Sequence, residues 1–97
     1  MALDTAIRGG TVVTAWDVGL CDVGVKDGRI VALAESLPRA ARDIDATGML
    51  ILPGGIDSHV HLAQPSGPGI VMADGFETGT RSAAVGGNTT VISFALQ

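Results

Sequence analysis

Apolar and polar residues alternate in short runs through the first half of the chain. Leu3–Arg8 reads as a short strand, and Gly9-Gly10 as a tight turn into Thr11–Thr14. Within Cys21–Lys26, Cys21, Val23 and Val25 alternate with Asp22, Gly24 and Lys26, the pattern of a half-buried strand. Asp27-Gly28 then predicts a type I′ hairpin turn, whose two central residues both need positive φ. Arg29–Leu33 is the return strand. Ala34–Arg42 is polar and broken by Pro38. Asp43–Ala46 and Met49–Leu52 are two more extended pieces around Thr47-Gly48. Together they predict a run of short antiparallel strands, part of a sandwich or small barrel.

The pattern changes after Pro53. Ile56–Leu62 reads as a strand, followed by a long loop, Ala63–Gly75, that carries Pro65, Gly67, Pro68 and Gly69. Asp74 is the expected helix N-cap, with Glu77 three residues on completing a capping box. Phe76, Thr80, Ala83 and Ala84 fall on one helical stripe, expected to face inward. Gly79 inside that helix costs about 1 kcal/mol relative to alanine. Gly86-Gly87 ends it. Asn88–Leu96 is β-branched at first and apolar on both faces, which suits a parallel strand covered from both sides. The fold class expected is therefore α/β. Residues 1–53 form an antiparallel β-sandwich segment, and residues 54–97 a strand–helix–strand (βαβ) unit.

The candidate chemistry lies in that second part. Its first strand carries both histidines of the chain, His59 and His61, two positions apart. Side chains alternate along a strand, so Asp57, His59 and His61 share one face, and Ser58, Val60 and Leu62 the other. Two neighbouring imidazoles can reach one cation at the ~2.0–2.1 Å of a metal–nitrogen bond. Histidines in apolar strands also serve as hydrogen-bonded core residues, so the pair alone leaves both roles open.

Composition narrows the partners. The formal net charge is −4 with no basic cluster, which argues against nucleic acid and anionic membranes. The chain is rather apolar for 97 residues, with a mean hydropathy of +0.42, as expected of a piece of a larger core. Cys21 is the only cysteine, so neither a disulfide framework nor a cysteine metal cage is expected. Met1–Asp4 has no signal-peptide character, the apolar run Met49–Leu52 stops at Pro53, and nothing approaches the ~20 residues of a membrane span. A cytoplasmic protein is the expectation. Asn88-Thr89-Thr90 matches the glycosylation pattern but means little without a secretory signal.

Leu50-Ile51-Leu52-Pro53-Gly54-Gly55-Ile56-Asp57-Ser58-His59-Val60-His61-Leu62 resembles the first barrel strand of the cyclic amidohydrolases. Met72–Ala84 and Gly86-Gly87-Asn88-Thr89-Thr90-Val91-Ile92 are similar to the dihydropyrimidinase and D-hydantoinase branch, and Val25–Ile30 looks like that family's opening. Gly75 departs from the pattern, standing where an aspartate is more usual.

The resemblance implies a β-sandwich built from both chain ends around a metal-dependent (β/α)8 barrel. It implies two divalent metal ions, usually zinc, that share a hydroxide and a carboxylated lysine. The hydroxide attacks the carbonyl carbon of a cyclic amide, and a metal-bound aspartate carries the proton to the leaving nitrogen. His59 and His61 would then be metal ligands. Asp57 would orient the site or simply bond to backbone. The only lysine, Lys26, sits beside the hairpin turn, too far back to bridge metals. The chain is thus expected to be about the first fifth of a homo-oligomeric hydrolase of small cyclic amides, and inactive by itself. The alternative is a catalytically inactive truncated or scaffold-type homologue that acts only through assembly.

Overall fold

A computed structural model of the chain describes residues 2–64 and 67–94. Two compact units divide at Pro53/Gly54.

The first unit is one five-stranded sheet: β1 (Leu3–Val13), β2 (Val18–Lys26), β3 (Arg29–Ala34), β4 (Ala40–Asp45) and β5 (Leu50–Ile51). Its order is β3-β2-β1-β4, with β5 on β1 as well. The β1–β2 and β2–β3 pairs are antiparallel as expected. The hairpin between β2 and β3 is of the predicted kind, with Asp27 at φ 51° and Gly28 at φ 74°. Two expectations are corrected. The sheet is mixed, because β4 and β5 both run parallel to β1, along Leu3–Arg8 and Thr11-Val12 respectively. After β3 the chain crosses to the far edge of the sheet, so it re-enters in the same direction as β1. Gly9-Gly10 is also no turn. It is a bulge within one continuous strand, where the β1–β2 register shifts between Ile7 and Gly10. Gly9 takes φ 76°, open to glycine without steric cost. At Gly10 a Cβ would lie 2.4 Å from Ile51 Cδ1, so only glycine lets β5 close on the bulge.

Arg8 and Asp22 hold the crossover in place. The Arg8 guanidinium donates to the Leu37 and Pro38 carbonyls, both at 2.8 Å, and to the Asp22 and Asp43 carboxylates at 3.3 and 2.9 Å. Asp22, the buried charged residue of the described chain, accepts from the Gly9 and Leu37 amides at 3.0 and 3.3 Å. The Gly9 amide holds the Asp22 carboxyl below its ordinary value. Burial opposes this, and Leu37 and Arg8 reinforce it. The buried apolar set of this unit is small: Leu3, Ala6, Val12, Val23 and Ala46. Leu20, Ile30, Leu33, Leu50 and Leu52 remain at least half exposed.

The second unit is β6 (Gly55–Val60), α1 (Phe76–Val85) and β7 (Asn88–Ser93). β6 and β7 pair in parallel, with the helix between them in sequence, as the pattern predicted. Their close approach is set at Gly54, where a Cβ would fall 2.7 Å from Thr89 Cβ. Gly87, at φ 95°, closes the helix and donates to the Ala84 carbonyl at 3.0 Å.

Three details differ from expectation. The N-cap is Gly75, without a side-chain cap bond. Asp74 instead gives its carbonyl to the Ala63 amide, and Glu77 pairs with Arg81 one turn on, at 3.2 Å. The covered stripe of α1 runs through Gly79 and Ala83, while Phe76 is 59% exposed, because buried Leu62 seats on the bare Gly79 backbone. β7 is not covered on both faces by the described chain: Ile92 is 57% exposed. Pro65 of the long loop and Leu96 of the expected strand lie outside the described residues.

Candidate metal centre

His59 is the penultimate residue of β6, and the strand ends at Val60, two residues short of the expected boundary. His61 therefore stands just past the strand. The ladder continues for one more bond, in which the Phe94 amide donates to the Val60 carbonyl at 2.7 Å. That bond keeps His61 near the orientation a strand would give it. The two imidazoles do lie side by side: their Nε2 atoms are 3.1 Å apart and their ring centroids 5.1 Å apart.

Two nitrogens bound to one tetrahedral cation at ~2.0–2.1 Å lie roughly 3.3–3.4 Å apart. The observed 3.1 Å is a few tenths of an ångström closer, within the reach of a small rotation of either exposed imidazole. The same spacing lets one imidazole donate an N–H to the other, and a cation would take the place of that proton. The donor set suits zinc, for which imidazole is a common ligand. Among the described residues no group of three or more His, Cys, Asp or Glu forms a metal site, so the two histidines stand without a third protein ligand.

Asp57 takes the blander of its two roles. Its carboxylate accepts from the His59 backbone amide at 3.1 Å, a local turn within the strand. It steadies the backbone beneath the histidine. Lys26 lies in the first unit at the end of β2, where its ammonium donates to the Ala2 carbonyl at 3.1 Å.

Two neighbours of the pair were not foreseen. Phe94 lies against both imidazoles, its ring centroid 4.9 Å from that of His61 and 6.1 Å from that of His59. Gln64 turns back so that its side-chain oxygen meets His61 Nδ1. Spacing carried no sign of the Gln64 contact, since it depends on Ala63 adopting a left-handed φ of 49°. The Phe94 contact could be inferred only from the parallel register of β6 and β7.

No protein-family model matches the chain. Individual proteins do. A D-hydantoinase of Streptomyces coelicolor is 48% identical over 103 residues, covering 100% of this chain and 22% of the relative. The structure of a D-hydantoinase from Bacillus sp. AR9 superposes with a TM-score of 0.87 at 51% identity, over 96% of this chain and 20% of that one.

This chain is homologous to D-hydantoinases.

The relation extends to an allantoinase of Salmonella choleraesuis, 41% identical over 99% of this chain and 20% of the relative. A zinc complex of an N-acyl-D-glutamate deacylase from Bordetella bronchiseptica matches 61% of this chain and 13% of its own, with a TM-score of 0.56 and 39% identity. The hydantoinase-like chain thus spans about a fifth of the length of the curated relatives it matches.

Proposed function

We propose that this chain is the amino-terminal segment of a binuclear-metal cyclic amidohydrolase, one that hydrolyses the ring of dihydropyrimidines or 5-substituted hydantoins. The observation that carries the proposal is the convergence of His59 and His61 through Nε2 at the carboxyl end of β6. In (β/α)8 barrels the active site gathers at that end of the strands. In this reading residues 54–97 are the first strand, helix and second strand of the barrel, and residues 1–53 are part of a β-sandwich. The uncovered Ile30, Leu33, Leu50 and Ile92 support it, since such side chains belong under a further layer. The relation to D-hydantoinases supports the reaction class, and the zinc complex of the deacylase supports the metal.

Two bound divalent ions, zinc by preference, would polarise the ring carbonyl and make hydroxide available near neutral pH. His59 and His61 would hold one ion through ring nitrogens. Ala63, Gln64, Ile70, Val71, Met72, Asp74 and Gly75 line a hollow beside the loop, in which Ile70, Val71 and Met72 would meet an apolar ring substituent. In this reading the remaining ligands and the proton-carrying aspartate would come from residues outside this chain. The protein would be a cytoplasmic homo-oligomer; its free Cys21 suits a reducing compartment. No helix among the described residues is long and apolar enough to cross a membrane.

A second reading, a scaffold-type homologue without activity, draws on the lack of a third ligand among the described residues. One experiment separates the two. The complete enzyme, stripped of metal and restored with zinc, is assayed on dihydrouracil and on a 5-substituted hydantoin. Ring opening that returns with zinc in the wild type, and not in His59→Ala, is the expected result. No turnover of either ring at any zinc level would favour the scaffold.

A further inference from the structure

We propose that Gln64 is a positioning residue that fixes the ring of His61, so that the imidazole presents Nε2 toward His59. This rests on the reading of the two histidines as metal ligands. His61 lies past the last residue of β6; the Phe94–Val60 bond aligns its backbone, and the torsions of the ring are left to its side-chain neighbours. Phe94 covers one face of the ring but makes no polar contact that could choose between its nitrogens. Gln64 does choose. With its side-chain oxygen on Nδ1, Gln64 accepts a hydrogen bond from the tautomer that carries the proton on Nδ1, and that tautomer leaves the Nε2 lone pair free. Nε2 is the atom that faces His59.

The turn that delivers Gln64 is pinned at every step. Leu62 is buried, with a methyl seated on Gly79 of the helix. Ala63 adopts φ 49°, a conformation that a side chain disfavours, and its amide donates to the Asp74 carbonyl at 3.1 Å. The Gln64 amide points at Met72 Sδ, 3.2 Å away. A strained residue held by its surroundings on both sides is the mark of a turn kept for what it positions. Here it positions an amide oxygen on a ligand nitrogen. Met72 lines the same hollow as Gln64, so the loop proposed to meet the substrate also orients the metal ligand.

The test is zinc affinity, measured on the stripped complete enzyme by competition with a chromophoric chelator. Gln64→Leu removes the acceptor and keeps the bulk. Gln64→Glu keeps an acceptor at the same reach. Gln64→Leu should weaken zinc binding about 10- to 100-fold, the usual effect of losing a group that orients a ligand, and Gln64→Glu should bind at least as tightly as Gln64 itself. Wild-type affinity in Gln64→Leu would overturn the proposal. So would equal loss in Gln64→Glu, which would mean that the residue only supports the loop. His59→Ala is the control: if it binds zinc as the wild type does, the reading of the site itself fails, whereas loss in His59→Ala with none in Gln64→Leu removes only the role of Gln64.

Discussion

Gly79→Ala should destabilise a helix that it would ordinarily strengthen. In an open helix interior, alanine in place of glycine gains about 1 kcal/mol. At position 79 the new Cβ would stand 2.2 Å from Leu62 Cδ2, and 3.4 Å from both Leu62 Cδ1 and Asp74 Cβ. Carbon atoms prefer roughly 3.5–4.0 Å, so the methyl must withdraw by about 1.3–1.8 Å. Leu62 is 8% exposed and has little room to do so. Overpacking of this kind costs about 1–3 kcal/mol, which leaves a net loss of about 1 kcal/mol after the propensity gain. In a Leu62→Ala background the obstructing methyl is gone, and Gly79→Ala should then recover its stabilising ~1 kcal/mol. The coupling between the two sites is therefore about 2 kcal/mol. Amide hydrogen exchange of Thr80–Gly86 in the wild type, both single variants and the double variant reads it directly. Gly79→Ala should speed exchange about fivefold in the Leu62 protein and slow it by a similar factor in the Leu62→Ala protein. Slower exchange in both backgrounds would refute the packing of Leu62 on Gly79.

Three further outcomes follow from the geometry. The Asp22 carboxyl is held below 3.8, so its bonds to Gly9, Leu37 and Arg8 contribute stability that is present above that pH and lost as pH falls through the lowered value; unfolding of the first unit followed between pH 5 and pH 2 should steepen in the wild type, and a parallel profile in Asp22→Asn would contradict this. Substitutions at Ile70, Val71 or Met72 should change the ratio of specificity constants for a small and a bulky ring substituent, and an unchanged ratio across several of them would remove the loop from the pocket. The 97 residues alone expose Trp16, Leu20, Ile30, Leu50 and Ile92 and the free edges of β6 and β7, and should self-associate on sedimentation at rising concentration and open neither ring; a stable monomer with turnover would refute it.

What could be read from the sequence was whatever local chemistry dictates. Asp27-Gly28 specified its turn because few other residues tolerate positive φ twice in succession. Gly86-Gly87 stopped the helix for a related reason, and strand alternation alone placed His59 and His61 side by side. The misreadings arose where a distant neighbour decides. Gly9-Gly10 has turn composition, yet β2 on one edge and β4 and β5 on the other carry the strand straight through it. The parallel entry of β4 depends on a crossover held by Arg8, which no periodicity encodes. Asp74 and Glu77 carry a capping signature, but the Ala63 amide claims the Asp74 carbonyl and the helix begins one residue later. Gly79 looked like a weak point in the helix and is the seat of Leu62. Gln64 came within reach of His61 only through the left-handed turn at Ala63.

The convergence of the two histidines on one cation is tested most directly by X-ray diffraction from the zinc-loaded complete enzyme, with data collected on both sides of the zinc absorption edge. The expected result is an anomalous peak bonded at ~2.0–2.1 Å to Nε2 of both His59 and His61, with Gln64 still on Nδ1 of His61. A zinc peak bound through Nδ1 of either residue, or one that leaves His59 and His61 hydrogen-bonded to each other, would contradict it.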